Sequence, residues 1–283
     1  MNSNDFPEFM KIAIYVGKDE AANDQRLIRF IDSLSAGGCS VYMSETRADL
    51  KPDTDMLVGV GGDGSFLLAS MLVGDSGIPV LGLNLGRLGF LSENPPENLA
   101  QAILSGDFTI QDRAILKASI SPDTGSQMID SWPYALNEIA VHRRGAAMLG
   151  VDVTVDGFSL PTYWSDGLLV STSSGSTAYS LSVGGPIVLP EARVLIIAPI
   201  APHNLNVRPL IVTDSAVIRI RLLSRDETVV LTADNRTVEV SADTELCISL
   251  AQFSLKRVQL NRSNFIKALT DKLFWGEDVR NVK

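Results

Sequence analysis

Apolar residues gather into short runs along the first third of the chain, and polar residues and glycines mark where each run stops. Lys11 to Gly17 (KIAIYVG) is almost unbroken and of strand length, as a buried strand requires. Behind it, Leu27, Phe30, Ile31 and Leu34 recur at helical spacing, and Gly37-Gly38 supplies the stop. Further strands are predicted at Cys39–Met43, Met56–Val60 and Ile78–Leu83. They alternate with a helix over Ser65–Val73 and another opened by Pro95-Pro96. That alternation predicts a parallel sheet with helices on its faces. From about Phe108 the period changes to that of closely spaced strands. Ala135–His142, Val151–Val155, Val217–Leu222, Thr228–Thr232, Leu246–Leu250 and Leu255–Leu260 read this way, with turn signals such as Pro122-Asp123-Thr124-Gly125 and Asp156-Gly157 between them. Asn264–Trp275 then reads as a terminal helix, with Phe265, Ile266, Leu269, Leu273 and Phe274 as its apolar face. The expected organisation is an α/β domain over 1–107, an all-β domain over 108–262 and a C-terminal helix within 263–283, with no internal repeat.

Composition narrows the class. The 283 residues fit one large domain or two ordinary ones. With 45% hydrophobic and 20% charged residues, the chain can bury a substantial core. A net charge of -9 without any basic stripe argues against nucleic acid as a partner. It also means that an anionic ligand must be held by local donors or by metal. Cys39 and Cys247 lie far apart in strand-like stretches and read as reduced structural thiols. The polar, acidic start lacks the apolar segment of a signal peptide, and Val194–Ala201 is too short to span a membrane. A soluble cytoplasmic protein with no membrane partner is expected.

The candidate chemistry begins just past the third strand, at Gly61-Gly62-Asp63-Gly64-Ser65. Glycines between a strand end and a helix start let the backbone approach a ligand closely. The amides there, with the positive end of the helix, suit a phosphate or diphosphate. A carboxylate amid them needs a further reason: a metal ion, a hydroxyl to deprotonate, or a plain turn in which Asp63 caps the helix. Gly59 to Gly64 also satisfies G-x-G-x-x-G, but Asn84 stands near where a ribose-binding acid is expected. No Walker lysine follows the glycines, so a P-loop is excluded. Serines are dense over Ser171–Ser182, yet His142 and His203 are the only histidines and no G-x-S-x-G elbow is present. A serine hydrolase is therefore set aside. No cluster has the spacing of a protein zinc site.

The glycine turn resembles a signature shared by NAD kinases, diacylglycerol and sphingosine kinases, and phosphofructokinases. Further segments resemble NAD kinases alone. These are Asn84-Leu85-Gly86-Arg87-Leu88-Gly89-Phe90-Leu91, Ala135-Leu136-Asn137-Glu138, Ser165-Asp166-Gly167-Leu168, Ser174 to Ser182, Gly184-Gly185-Pro186, and Ala198 to His203 with Arg208-Pro209. They occur in the family order and at family-like spacing. Two departures stand out: Ser65 where the family more often has Thr, and Trp164 where many relatives carry Arg two positions before Asp166.

The resemblance implies an NAD kinase, moving the γ-phosphate of ATP to the adenosine ribose 2′-hydroxyl of NAD to make NADP. It implies that the C-terminal helix returns to the first domain, and that the chain forms homodimers or homotetramers. Its substrates would be the nucleotides ATP and NAD, with Mg2+ or another divalent cation brought by ATP. Gly61, Gly62 and Gly64 would cradle the diphosphate, and Asp63 would act as general base or orient the hydroxyl and the metal. Phe90, Arg87, Asn137, Glu138, Asp166, Ser174, Thr177, Ala178, Tyr179, Ser182 and Ala201 would hold nucleotide. Arg87, Arg143, Arg144 and Arg208 are the candidate cations near phosphate. Two other classes stay open: a lipid or sugar kinase using the same turn, and a non-catalytic NAD(P)-binding sensor.

Overall fold

The computed structural model describes residues 10–17, 19–86, 89–121 and 132–273. Arg87, the Pro122–Gly125 turn signal, Phe274 and Trp275 lie outside the described residues. The chain divides into two compact units. The first is built from both chain ends, up to Asp112 and from Leu255 onward, and the second from Arg113–Ser254.

The first unit is an α/β layer. Its strands are β1 (Lys11–Val16), β2 (Ser40–Met43), β3 (Met56–Val60), β4 (Val80–Leu83) and β5 (Phe108–Arg113), joined by the late strand Leu255–Leu260. The order is β2-β1-β3-β4, then Leu255–Leu260, then β5. β1 pairs parallel with both β2 and β3, and β3 parallel with β4, in a register that sets Val16 beside Val60 and Val60 beside Leu83. Every residue of β3 and β4 is buried, which is why their sequences run apolar without alternation. The helices are α1 (Asp19–Ala22), α2 (Gln25–Ala36), α3 (Asp63–Val73) and α4 (Leu99–Leu104). Asp24 caps α2 by accepting the Arg26 amide at 2.8 Å. Leu27, Phe30 and Leu34 then bury against Ile12, Ile14 and Met56.

Two expectations shift here. The helix expected to open at Pro95-Pro96 starts at Leu99, behind Asn98. The residue before a proline favours extended backbone, and Asn94 is accordingly in a bridge beside Leu83. Phe108–Arg113 and Leu255–Leu260, read by their alternation as part of the β-rich domain, belong to the first sheet. Alternation reports which face is buried but not which sheet the strand joins. The C-terminal helix, described over Phe265–Leu273, packs on this unit through Phe90 and Gly89.

The second unit is all β. A seven-stranded antiparallel sheet runs 158–159, 149–155, 218–223, 245–250, 116–121, 134–135, with 163–165 also on 149–155. A six-stranded sheet runs 210–213, 194–200, 167–172, 138–143, 228–233, 236–241. Ile218 and Ile220 from the first face Val170, Ile197 and Leu231 from the second across one core. The six-stranded sheet is covered on its other face too, where Tyr179, Val183 and Val188 pack on Leu169, Ile196 and Ala198. Burial on both faces explains why Gly167–Thr172 has no exposed position. Cys39 and Cys247 are both free thiols.

Candidate active site

The glycine turn lies at the carboxyl ends of β1 and β3, where the strand order reverses, the position at which open α/β sheets bind ligands. Gly61 has φ +135°, and a Cβ there would sit 2.2 Å from Ser65 Oγ, so both backbone and space demand glycine. The helical ladder of α3 starts with Phe66 N donating to Gly62 O at 3.1 Å. The Asp63, Gly64 and Ser65 amides lie ahead of it, in the positions that a helix start leaves open. Nothing lies within 4 Å of where a Cβ would stand on Gly62 or Gly64, so a ligand can come against the backbone.

Asp63 is not the helix cap. Gly62 holds that place, and the Asp63 carboxylate reaches across to the loop after β4. Its Oδ2 accepts the Phe90 amide at 2.9 Å, while Oδ1 accepts Leu91 at 3.0 Å and Ser92 at 2.8 Å. A carboxylate offers about four lone-pair directions, so one remains, on Oδ2. Ser92 Oγ donates to Gly61 O at 2.5 Å and ties the same loop to the glycine turn. Gly89 approaches so closely that a Cβ would fall 1.9 Å from Asp63 Oδ1. The glycine-punctuated segment therefore packs around this one side chain. Phe90 stands in the loop, half-buried.

In the second unit, the predicted strand Ala135–His142 is interrupted. It divides into Tyr134–Ala135 and Glu138–Arg143, and Asn137 falls in the break. The cause is Asp234, in the turn between 228–233 and 236–241 with φ +51°. Its carboxylate accepts the amides of Leu136 at 2.9 Å, Asn137 at 2.7 Å and Glu138 at 3.3 Å. Its own amide returns to Glu138 O at 2.9 Å. On the carbonyl side, Thr172 Oγ1 donates to Leu136 O at 2.6 Å, and Ser171 Oγ to Asn137 O at 3.1 Å. The Asn-Glu pair is thus clamped from both sides. Asp234 was missed in the sequence because it acts about a hundred positions downstream and looks like an ordinary turn residue.

Glu138 Oε2 is buried with no hydrogen-bond partner among the described residues. Burial, then the nearby Asp234 carboxylate, push its pKa up to about 8, with the Tyr179 amide pulling the other way. Burial also raises Asp234, but three amides and Arg236 oppose it. Glu138 is therefore the partner that holds the proton. Its folded pKa exceeds the unfolded value of about 4.3, so folding binds a proton that is released as pH climbs toward 8. The stability this proton contributes is complete below about pH 4 and is lost as pH rises through the folded value. Glu138→Gln, neutral at every pH, should gain in melting temperature relative to the native chain from pH 5 to 8. Parallel melting curves would exclude a proton on Glu138.

Ser174 and the half-buried Thr177, Ala178 and Tyr179 follow as a 3-10 turn leading into a short helix, Tyr179–Ser182. Ser174 Oγ is likewise buried and unpartnered among the described residues. The Tyr179 ring stacks on His142 at 5.8 Å and 19°. Asp166 is half-buried and pairs with Arg143 Nε at 2.6 Å. Ser182 and Ala201 are exposed, the latter at φ +46° where 194–200 ends. The three candidate cations among the described residues are engaged elsewhere: Arg143 on Asp166, Arg144 on Glu239, and Arg208 on the carbonyls of Leu205 and Val207. Trp164, at the family's arginine position, packs over Gly150. A cavity of about 600 Å³ opens between α2 and α4, lined by Arg26, Phe30, Pro96 and Leu104. No glycine-turn residue lines it.

Residues 9–105 match the ATP-NAD kinase N-terminal domain family and 136–260 the ATP-NAD kinase C-terminal domain family. An NAD kinase of Porphyromonas gingivalis is 43% identical over 95% of this chain and 99% of its own. One from Flavobacterium psychrophilum is 42% identical over 83% of this chain and 81% of its own. Among solved structures, an NAD kinase from Archaeoglobus fulgidus in complex with ATP superposes with TM-score 0.73 at 27% identity, covering 89% of this chain and 95% of that one. Yeast NADH kinase complexed with NADH shares the fold at TM-score 0.82 and 24% identity, covering 97% and 90%. With the glycine turn in one matched half and the clamped Asn-Glu pair in the other, the chain belongs to the NAD kinase family.

Proposed function

We propose that the chain transfers the γ-phosphate of ATP to the adenosine ribose 2′-hydroxyl of NAD, giving NADP. The observation that carries this is Asp63, a carboxylate locked by three amides beside an open glycine turn, with one lone pair left. Phosphoryl transfer needs positioning and charge neutralisation more than covalent chemistry. The amides of Gly62 to Ser65 would hold the diphosphate, as helix starts hold anions. Asp63 would accept the hydroxyl proton through Oδ2, its orientation fixed by the loop at Phe90 to Ser92. Asn137 and Glu138 would take the ribose and adenine edges, with Ser174, Thr177, Ala178 and Tyr179 around the base. A pocket built from buried polar groups rejects ligands lacking the matching atoms. Asp166, bound to Arg143, would meet the far part of NAD.

One free lone pair on Asp63 does not make a protein cage for a metal, but it fits an ion carried in on phosphates. Mg2+ bound with ATP would neutralise charge between the phosphates. Supporting a homodimer or homotetramer are the family resemblance and the edge strand Leu210–Thr213, which exposes Leu210 and Ile211. The free thiols accord with a cytoplasmic setting. No described helix is long and apolar enough to cross a membrane.

The test is purified protein with ATP, Mg2+ and NAD, read by an NADP-specific dehydrogenase. NADP accumulating in step with ATP consumption is the expected result. Nucleotide binding without turnover would make the chain a sensor, and ATP consumption only with a lipid or sugar acceptor would make it a different kinase.

A further inference from the structure

Asp63 holds its loop by the amides, whereas the carbonyls of that loop are held by side chains from the other end of the chain. Lys272 Nζ, on the C-terminal helix, donates to Gly89 O. It lies 4.9 Å from the centroid of the Phe90 ring, within range of a cation–π contact. Phe265, two turns earlier, packs its ring 6.2 Å from that of Phe90. Arg257, on the late strand, donates to Phe90 O at 3.0 Å and Leu91 O at 3.3 Å, and pairs with Glu93 at 2.8 Å. Arg257 and Glu93 are both largely buried and answer each other. Lys272 forms no such ion pair among the described residues. Burial lowers its pKa, while Glu93, Asp63 and Asp271 act in the opposite sense. A half-buried ammonium spent on one carbonyl and one ring face is costly for stability alone, which points to a role in setting the loop.

We propose that Lys272 is a positioning residue for phosphoryl transfer, fixing Gly89 and Phe90 so that the loop amides keep the free Oδ2 lone pair of Asp63 aimed at the acceptor hydroxyl. This rests on Asp63 serving as the base. Lys272 touches the loop and not the reacting atoms, so its effect passes through Asp63 and must vanish when Asp63 cannot act.

The test is a double-mutant cycle in the full-length protein. Lys272→Met should lower kcat about 10- to 100-fold, the worth of a hydrogen bond from a charged donor, with KM for ATP and NAD moving less than about threefold. In the Asp63→Asn background the same change should cost less than about threefold. A merely structural lysine would cost the same in both backgrounds, and that result overturns the proposal, as does native kcat for Lys272→Met. If Asp63→Asn alone retains native turnover, it is the assignment of Asp63 that fails, separately. Lys272 also lines a cavity of about 350 Å³ with Glu93, Asn94 and Lys267, so reagent can reach it. Lys272→Cys treated with 2-bromoethylamine, which restores an ammonium at matching length, should recover most of the lost kcat. The treated native protein, with Cys39 and Cys247, is the control. Should Lys272→Met not fold, the treated and untreated Lys272→Cys protein decides, and absence of recovery overturns the proposal.

Discussion

Asp63→Asn is expected to lower turnover by about 10²- to 10⁴-fold, the range lost with a general base, while the protein stays folded. Asn retains an oxygen for the Leu91 and Ser92 amides but turns an NH2 group toward the Phe90 amide, where an acceptor is needed. One mismatched amide costs about 1–3 kcal/mol, less than the stability of an ordinary domain. Circular dichroism should therefore show a native spectrum and a modestly lowered melting temperature. The catalytic loss comes from the fourth lone-pair direction, which Asn cannot offer as a base. Turnover within about tenfold of native at saturating ATP and NAD would remove the base role and leave Asp63 as a loop staple. A companion variant separates the two functions: Gly89→Ala keeps the carboxylate but drives a methyl group into it. It should lose turnover comparably, through displacement of the side chain.

The second large effect is expected at Asp234. Replacement by Ala leaves the Leu136, Asn137 and Glu138 amides without their acceptor, in residues that are themselves buried. Each unpaired buried amide costs about 1–3 kcal/mol, so a loss of roughly 3 kcal/mol or more is expected even after relief of the buried charge. Urea melts would read this directly. Because the freed segment carries Asn137 and Glu138, KM for NAD should rise while KM for ATP changes little. Asp234→Asn, which keeps one oxygen for the Asn137 amide, should fall between. Equal KM values for NAD in all three proteins would show that the clamp has no bearing on nucleotide.

What the sequence made legible follows from how local each signal is. β3 and the glycine turn were readable because both are written in consecutive residues: an apolar run, then glycines. The Asp156-Gly157 hairpin was readable for the same reason, with φ +51° and +85°. The role of Asp63 was only half legible. A carboxylate amid glycines stands out in the sequence, but its partners at Phe90 to Ser92 are nearly thirty residues away, and a plain turn capped by Asp63 is the local alternative. The contacts of Asp234, Arg257 and Lys272 were illegible, since each reaches over more than ninety positions of chain. At Asn137 the sequence leaves open whether the Ala135–His142 strand runs on, ends or bulges, and the acceptor that interrupts the ladder arrives from another hairpin.

The placement of Leu255–Leu260 between β4 and β5 bears on synthesis. Proteins emerge from the ribosome amino end first, so β4 and β5 are made long before the strand that separates them. Until about nine-tenths of the chain has been translated, the wholly apolar β4 exposes an unpaired backbone edge, a template for aggregation. A nascent or prematurely terminated product would carry Asp63 without Arg257 or Lys272 to brace its loop. A product ending before Leu255 is therefore expected to aggregate more readily than the full-length chain.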